Sequence, residues 1–266
     1  MENMSRTLAK ARSGDGTPIA YEQWGDGPPL VLVGGPLSTS ATDAPLAGLL
    51  SARFHVITYD RRGRAASGDR GGPSVEREIE DLAAVIGEVG GSACVHGMSS
   101  GGALALRAVA AGVPITQLSL YEPPFDPSVR SLIRRPPERV ARILELLTEG
   151  RRGDALALFL DDAGTPVETV ARMRGTALWE VLESVAHTLP YDHAVMGSGA
   201  VPTGLLRRIG IRVMVVDGGA SPPWIREAAR LVAHALPRGR HRTLTGQTHE
   251  VAPHLLAPLL EDFLGD

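Results

Sequence analysis

The sequence predicts an α/β chain: a doubly wound, mostly parallel sheet that opens with an antiparallel hairpin and is interrupted by a helical insertion. Three observations carry this. Short, continuously apolar runs such as Leu30-Val31-Leu32-Val33 alternate with amphipathic helical patterns, as strands buried on both faces of a parallel sheet do. At 93–106 a strand, a tight turn and a helix follow one another without a gap. From Phe125 to Leu206 the alternation stops and only helical patterns occur. The chain divides accordingly into a core of residues 1–124 and 207–266 and an insertion of residues 125–206.

Leu8 to Arg12 and Thr17 to Trp24 form the hairpin, turned at Ser13-Gly14-Asp15-Gly16, residues that accept positive φ. Gly25-Asp26-Gly27-Pro28-Pro29 breaks the pattern before the Leu30–Val33 strand, which Gly34-Gly35-Pro36-Leu37 ends. Asp43 to Ala52 can form a helix and Phe54 to Tyr59 a strand; Asp60-Arg61-Arg62-Gly63-Arg64 then opens a charged loop that runs to Gly72-Pro73. Val75 to Gly87 places Val75, Ile79, Leu82, Ala83 and Ile86 near a 3.6-residue period, the signature of an amphipathic helix. Leu118 to Glu122 is a strand stopped by Pro123-Pro124. The insertion holds helical patterns at Pro137–Thr148, Asp154–Leu160, Val167–Arg174 and Ala177–Leu189. Ile211 to Asp217 is a strand, Pro223 to Leu236 a helix, His241 to Leu244 a last strand and Leu255 to Leu264 a closing helix.

With 266 residues, 43% hydrophobic and 21% charged, the composition is that of an ordinary globular protein. A net charge of −3 argues against nucleic acid or an anionic membrane as the main partner. Cys94, the single cysteine, cannot form an internal disulfide and reads as packing. No apolar run near the N-terminus or later fits a signal peptide or a membrane span, and the expectation is a cytoplasmic chain with a small-molecule substrate. No Cys/His cluster suggests a metal, and no metal or organic cofactor is expected. Monomer and homodimer both stay open.

The chemistry is written in Gly97-Met98-Ser99-Ser100-Gly101, a G-x-S-x-G nucleophile elbow between strand and helix. A serine in so sharp a turn takes a strained backbone, and glycine two residues to either side removes the collisions that a side chain would cause. The turn presents the Ser99 hydroxyl and leaves the Ser100 N–H at a helix N-terminus, aimed at developing negative charge. His249 lies in Leu244-Thr245-Gly246-Gln247-Thr248-His249, a loop after the final strand, where a parallel sheet gathers its ligand-facing loops. It is the preferred base; His96 reads as a core residue inside the elbow strand, His254 falls in the last helix, and His187 and His193 fall in the insertion.

Together with the Gly34-Gly35-Pro36 loop, the Tyr59-Asp60-Arg61-Arg62-Gly63-Arg64 loop and the helical insertion, these motifs make the chain resemble the α/β-hydrolase superfamily over nearly its full length. The resemblance implies Ser99 as nucleophile, His249 as base and the insertion as a cap over the active site. The family most often places its acid in a Gly-x-x-Asp turn, where this chain has Gly218-Gly219-Ala220-Ser221. Glu122, at the end of the strand after the elbow, is the favoured acid, since some members carry theirs there; Asp217 is the alternative. A plain structural role for Glu122 would be to accept backbone N–H groups near the elbow. The oxyanion hole would combine the Ser100 N–H with that of Gly35, or alternatively Leu37; Pro36 has no N–H.

Phe125, Leu158, Phe159, Met173, Trp179, Tyr191 and Met196 offer apolar substrate contacts or ordinary cap packing, while Arg134-Arg135 and Arg151-Arg152 read as solvated. The expected activity is hydrolysis of a small, largely apolar ester, lactone or thioester. The alternatives are a lyase or perhydrolase type of tailoring chemistry on the same scaffold, or a binding protein that has lost turnover.

Overall fold

The computed structural model describes residues 7–128 and 137–265. Arg134 and Arg135 lie outside the described residues, whereas Arg151 and Arg152 are exposed as expected. The strands are β1 (Thr7–Arg12), β2 (Pro18–Trp24), β3 (Pro29–Val33), β4 (His55–Tyr59), β5 (Ala93–Met98), β6 (Ile115–Tyr121), β7 (Arg212–Gly218) and β8 (Gly239–Leu244). They form one sheet in the order β1-β2-β4-β3-β5-β6-β7-β8. The β1–β2 and β2–β4 pairings are antiparallel and the rest parallel. Gly16, at φ 81°, closes the β1–β2 turn, and the Ser13 N–H reaches the Thr17 carbonyl at 2.9 Å.

Both faces of the parallel strands are covered. Leu30 and Leu32 of β3 pack with Leu46 and Leu50 of α1 (Ser40–Leu50) and with Leu256 and Leu260 of α11 (Pro253–Leu264). Val31 and Val33 point to the other face, toward Leu82 of α2 (Val75–Glu88), Ala103 of α3 (Ser100–Ala110) and Val232 of α10 (Pro223–Ala235). Successive side chains of a strand alternate between faces, so a doubly covered strand must be apolar throughout. Each fully buried side chain of this size contributes about 1.5–3 kcal/mol. Cys94 is buried against the α1–α11 layer.

Between β6 and β7, which pair directly, the chain leaves the sheet and returns. The described part of this excursion is helical: α4 (Pro137–Thr148), α5 (Arg152–Asp162), α6 (Val167–Met173), α7 (Ala177–Val185), a 3₁₀ turn (Ala186–Thr188), α8 (Leu189–Met196) and α9 (Thr203–Leu206). Among the described residues no helix is long and apolar enough to cross a membrane.

Several boundaries differ from the sequence expectation, each for a tertiary reason. Helix α1 starts at Ser40 rather than Asp43, because the Asp60 carboxylate accepts the Ser40 N–H at 2.7 Å and so caps a helix from another loop. Strand β8 begins at Gly239 rather than His241, since pairing of Gly239 with Val213 extends the ladder. The pattern read as a single helix to Leu189 is instead α7, the 3₁₀ turn and α8. Pro190 sits in the first turn of α8, a position that needs no proline N–H, so it starts a helix instead of stopping one.

The carboxyl oxygen Oδ2 of Asp43 is buried without a hydrogen-bond partner, and burial pushes the pKa of the group up to about 7. A raised folded-state pKa means stability that is full below the ordinary aspartate range and is lost as pH rises toward about 7. The expected result is that Asp43→Asn raises Tm relative to wild type at about pH 8 by more than at about pH 4, read by thermal melts across that range; a gain independent of pH would contradict it. Leu120, fully buried at the centre of the sheet, sets a second expectation. Leu120→Ala should cost about 2–5 kcal/mol, seen as a lower urea midpoint at unchanged slope.

Candidate active site

The turn between β5 and α3 holds Ser99 at φ 54° and ψ −125°, a conformation that costs on the order of 1–3 kcal/mol and lasts only where its surroundings enforce it. They do so by close approach. A Cβ on Gly97 would lie 2.5 Å from Gly102 Cα, and one on Gly101 would lie 2.2 Å from the Val33 carbonyl oxygen. Only glycine fits either place. The Ser99 N–H donates to the Tyr121 carbonyl at 2.9 Å, which ties the elbow to β6. Ser100 is the first residue of α3, with its N–H at the positive end of the helix. The loop after β3 passes alongside: a Cβ on Gly35 would lie 3.0 Å from Ser99 Cβ and 3.6 Å from Ser99 Oγ. Leu37, at φ 62°, turns its side chain into a cluster with Leu156, Val170, Trp179 and Leu189 of the helical insertion.

Glu122 follows β6 with φ 44° and is fully buried. Its Oε2 meets His249 Nδ1 at 2.8 Å, and its Oε1 accepts the Gly218 N–H at 2.7 Å. Burial works to raise the Glu122 carboxyl, but the hydrogen bonds from His249 and Gly218 outweigh it and leave the group below the ordinary glutamate value. Facing a carboxylate, which can only accept, Nδ1 is the ring nitrogen of His249 that donates in this contact. The Tyr121 hydroxyl donates to the Thr248 carbonyl at 2.6 Å, so β6 also fastens the loop that bears His249.

Asp217 is not brought to His249. It points from inside β7 to β8, where its Oδ2 lies 2.9 Å from His241 Nε2; ending before the Gly218 turn, it cannot reach around. Ser221, in the family's usual acid position, is buried next to Glu122 without a well-formed hydrogen bond. His96 is a core residue as expected: its Nδ1 lies 3.3 Å from Ser119 Oγ, and burial lowers its pKa to about 4.

The anticipated substrate contacts scatter. Phe125 and Met196 belong to the core cluster that includes α3 and the sheet. The Tyr191 hydroxyl donates to Asp69 at 2.6 Å. Trp179 donates to Glu183 at 2.9 Å and lies under the Arg174 guanidinium. Phe159 and Met173 pack on the cluster around Leu37, and Leu158 is half-buried. Among the described residues no group of three or more His, Cys, Asp or Glu side chains is placed to hold a metal ion.

The loop opened by Asp60 reads as charged and as one motif of the resemblance; its burial is the main feature that sequence reasoning missed. Arg61, Arg62 and Arg64 are all buried. Arg61 grips Glu78 of α2 through Nε and Nη2 at 2.6 and 2.8 Å, and its Nη1 reaches Asp192 of α8 at 2.6 Å and the Gly34 carbonyl at 3.3 Å. Arg64 donates to Asp192 at 2.7 Å and to the carbonyls of Gly35 and Ser38 at 2.6 and 3.1 Å. Ser100 Oγ donates to the same Asp192 at 2.6 Å. Burial raises the Asp192 carboxyl, but the two guanidiniums and the hydrogen bonds win, and its pKa falls below the usual value. Arg62 is separate, paired with Asp81 through two 2.7 Å contacts. The available signal was position: charges at the carboxyl end of a buried strand sit where the site is built.

The sequence model of the alpha/beta hydrolase family matches residues 16–261. The structure superposes with a TM-score of 0.90 on an alpha/beta hydrolase from Sphaerobacter thermophilus, 52% identical over 96% of this chain and 99% of that one. An esterase from a Rhodococcus species superposes at 0.68 with 21% identity, covering 97% and 98% of the two chains, a likeness of fold alone. A non-heme haloperoxidase of Rhodococcus erythropolis is 39% identical over 99 residues, a match that spans 36% of each chain. With the family pattern running through nearly the whole sequence and the fold to match, the chain belongs to the alpha/beta hydrolase family.

Proposed function

We propose that the protein is a serine hydrolase that cleaves a small, largely apolar ester, lactone or thioester through an acyl-enzyme on Ser99. The observation that carries this reading is the 2.8 Å contact between His249 Nδ1 and the buried Glu122 carboxylate, at the same end of the sheet as the strained serine. A buried carboxylate held ionised orients the imidazole and stabilises its protonated form. His249 takes the Ser99 proton as the oxygen attacks the acyl carbon, and the Ser100 and Gly35 N–H groups receive the oxyanion. The histidine then protonates the leaving group and activates the water that frees the acid. In this reading residues 125–206 act as the cap, and their apolar side chains favour an apolar substrate.

A second reading has one observation in its favour, the stretch shared with a haloperoxidase. Hydrogen peroxide attacking the acyl carbon in place of water would release a peracid from the same intermediate.

The test is turnover of p-nitrophenyl esters of increasing acyl length by wild type, Ser99→Ala, Glu122→Gln and Asp217→Asn. Ser99→Ala should lose at least about 10⁴-fold in kcat and Glu122→Gln about 10²–10⁴-fold, with Asp217→Asn within about threefold because it serves His241. Equal rates for wild type and Ser99→Ala on every ester would end the hydrolase reading. Peracid formation from the free acid and peroxide, at rates above ester hydrolysis, would favour the second.

A further inference from the structure

The ion cluster around Asp192 ties together the two backbone segments that would supply the oxyanion donors, and it does so from an element outside the core sheet. A peptide unit is planar, with its carbonyl and N–H pointing in opposite directions, so whatever holds the Gly34 carbonyl also aims the Gly35 N–H. Arg61 Nη1 bonds that carbonyl at 3.3 Å, and Arg64 Nη1 bonds the next one, Gly35, at 2.6 Å. Both guanidiniums are held by one carboxylate: Arg61 on Asp192 Oδ1 at 2.6 Å and Arg64 on Asp192 Oδ2 at 2.7 Å. The Ser100 hydroxyl, on the residue that carries the other donor, bonds the same Oδ1 at 2.6 Å. Arg61 and Arg64 are paired with Glu78 and Asp192, all of them buried.

We propose that Asp192 is a positioning residue that holds the Ser100 and Gly35 N–H groups in register, making helix α8 of the insertion part of the oxyanion hole. The inference rests on the serine-hydrolase reading above. A shift of about 1 Å in such donors costs on the order of 10²-fold in rate, and loss of one donor costs about 10²–10³-fold. Since the donors engage charge that exists only in the transition state, the effect falls on kcat rather than KM.

The test compares Asp192→Asn and Ser100→Ala with Asp81→Asn. Asp81 pairs with Arg62 as tightly and as deeply as Asp192 pairs with its arginines, but it touches neither donor segment. All three are assayed with a p-nitrophenyl ester beside wild type and Ser99→Ala, and with a trifluoromethyl ketone, which forms an oxyanion on the serine. The expected result is a kcat loss of about 10–100-fold for Asp192→Asn and about 3–10-fold for Ser100→Ala, with KM within about threefold and ketone affinity falling in parallel. Asp81→Asn should lower Tm while keeping kcat within about threefold. A folded Asp192→Asn with wild-type kcat overturns the proposal, as does an equal kcat loss in Asp81→Asn. Should Asp192→Asn fail to fold, Ser100→Ala decides, and an unchanged kcat there overturns it too. Turnover that does not depend on Ser99 removes the hydrolase reading itself, an outcome separable from the others because it is read on Ser99→Ala alone.

Discussion

The constraint on which the rest of the structure depends is the close approach of backbone at the β5–α3 turn. Gly97 touches Gly102, and Gly101 sits against the Val33 carbonyl, so α3 lies hard against the carboxyl ends of β3 and β5. The left-handed Ser99 is the consequence: no relaxed backbone joins the last residue of β5 to a helix packed that closely. The strain is carried by the surrounding sheet, through the Ser99 N–H on Tyr121 and through an apolar core on both sheet faces. Residue 122, the first after β6, is fixed by the same neighbourhood, and its own positive φ turns the glutamate toward the β7 and β8 loops.

A buried carboxylate just after β6, rather than after β7, has its own surroundings. Glu122 lies beside Gly218, Ser221 and His249, and its charge is supported by the Gly218 N–H and the His249 ring. Hydrogen bonds to the charged form overcome desolvation here. Tyr121 and Glu122 are adjacent in sequence and reach adjacent residues of one loop, one bonding the Thr248 carbonyl and the other the His249 ring. A single strand end thus aligns both the loop and its histidine.

The buried arginines follow a different logic. Taking a guanidinium out of water is costly, and replacing such pairs by apolar residues is often neutral or stabilising. Stability therefore does not explain why Arg61 and Arg64 are there. Apolar side chains could fill the space but could not bond the carbonyls of Gly34, Gly35 and Ser38. A loop with proline and glycines and no regular structure needs donors of fixed geometry to hold its carbonyls, and the planar fork of arginine provides them.

By itself the sequence determined the alternation of strands and helices, the elbow at Ser99, the insertion and the histidine loop. These are local: apolar runs, glycine spacing and proline stops act over a few residues. The choice between Glu122 and Asp217 was not local, since both end strands and both are carboxylates. Only the packing of β6, β7 and β8 gave His249 to one and His241 to the other. The Asp60–Arg64 loop had the same character. A run of charge reads as solvated until partners distant in sequence arrive, and here Glu78, Asp81 and Asp192 come from α2 and α8. Whether a charge is buried depends on the neighbour that neutralises it, and no window of sequence contains that neighbour.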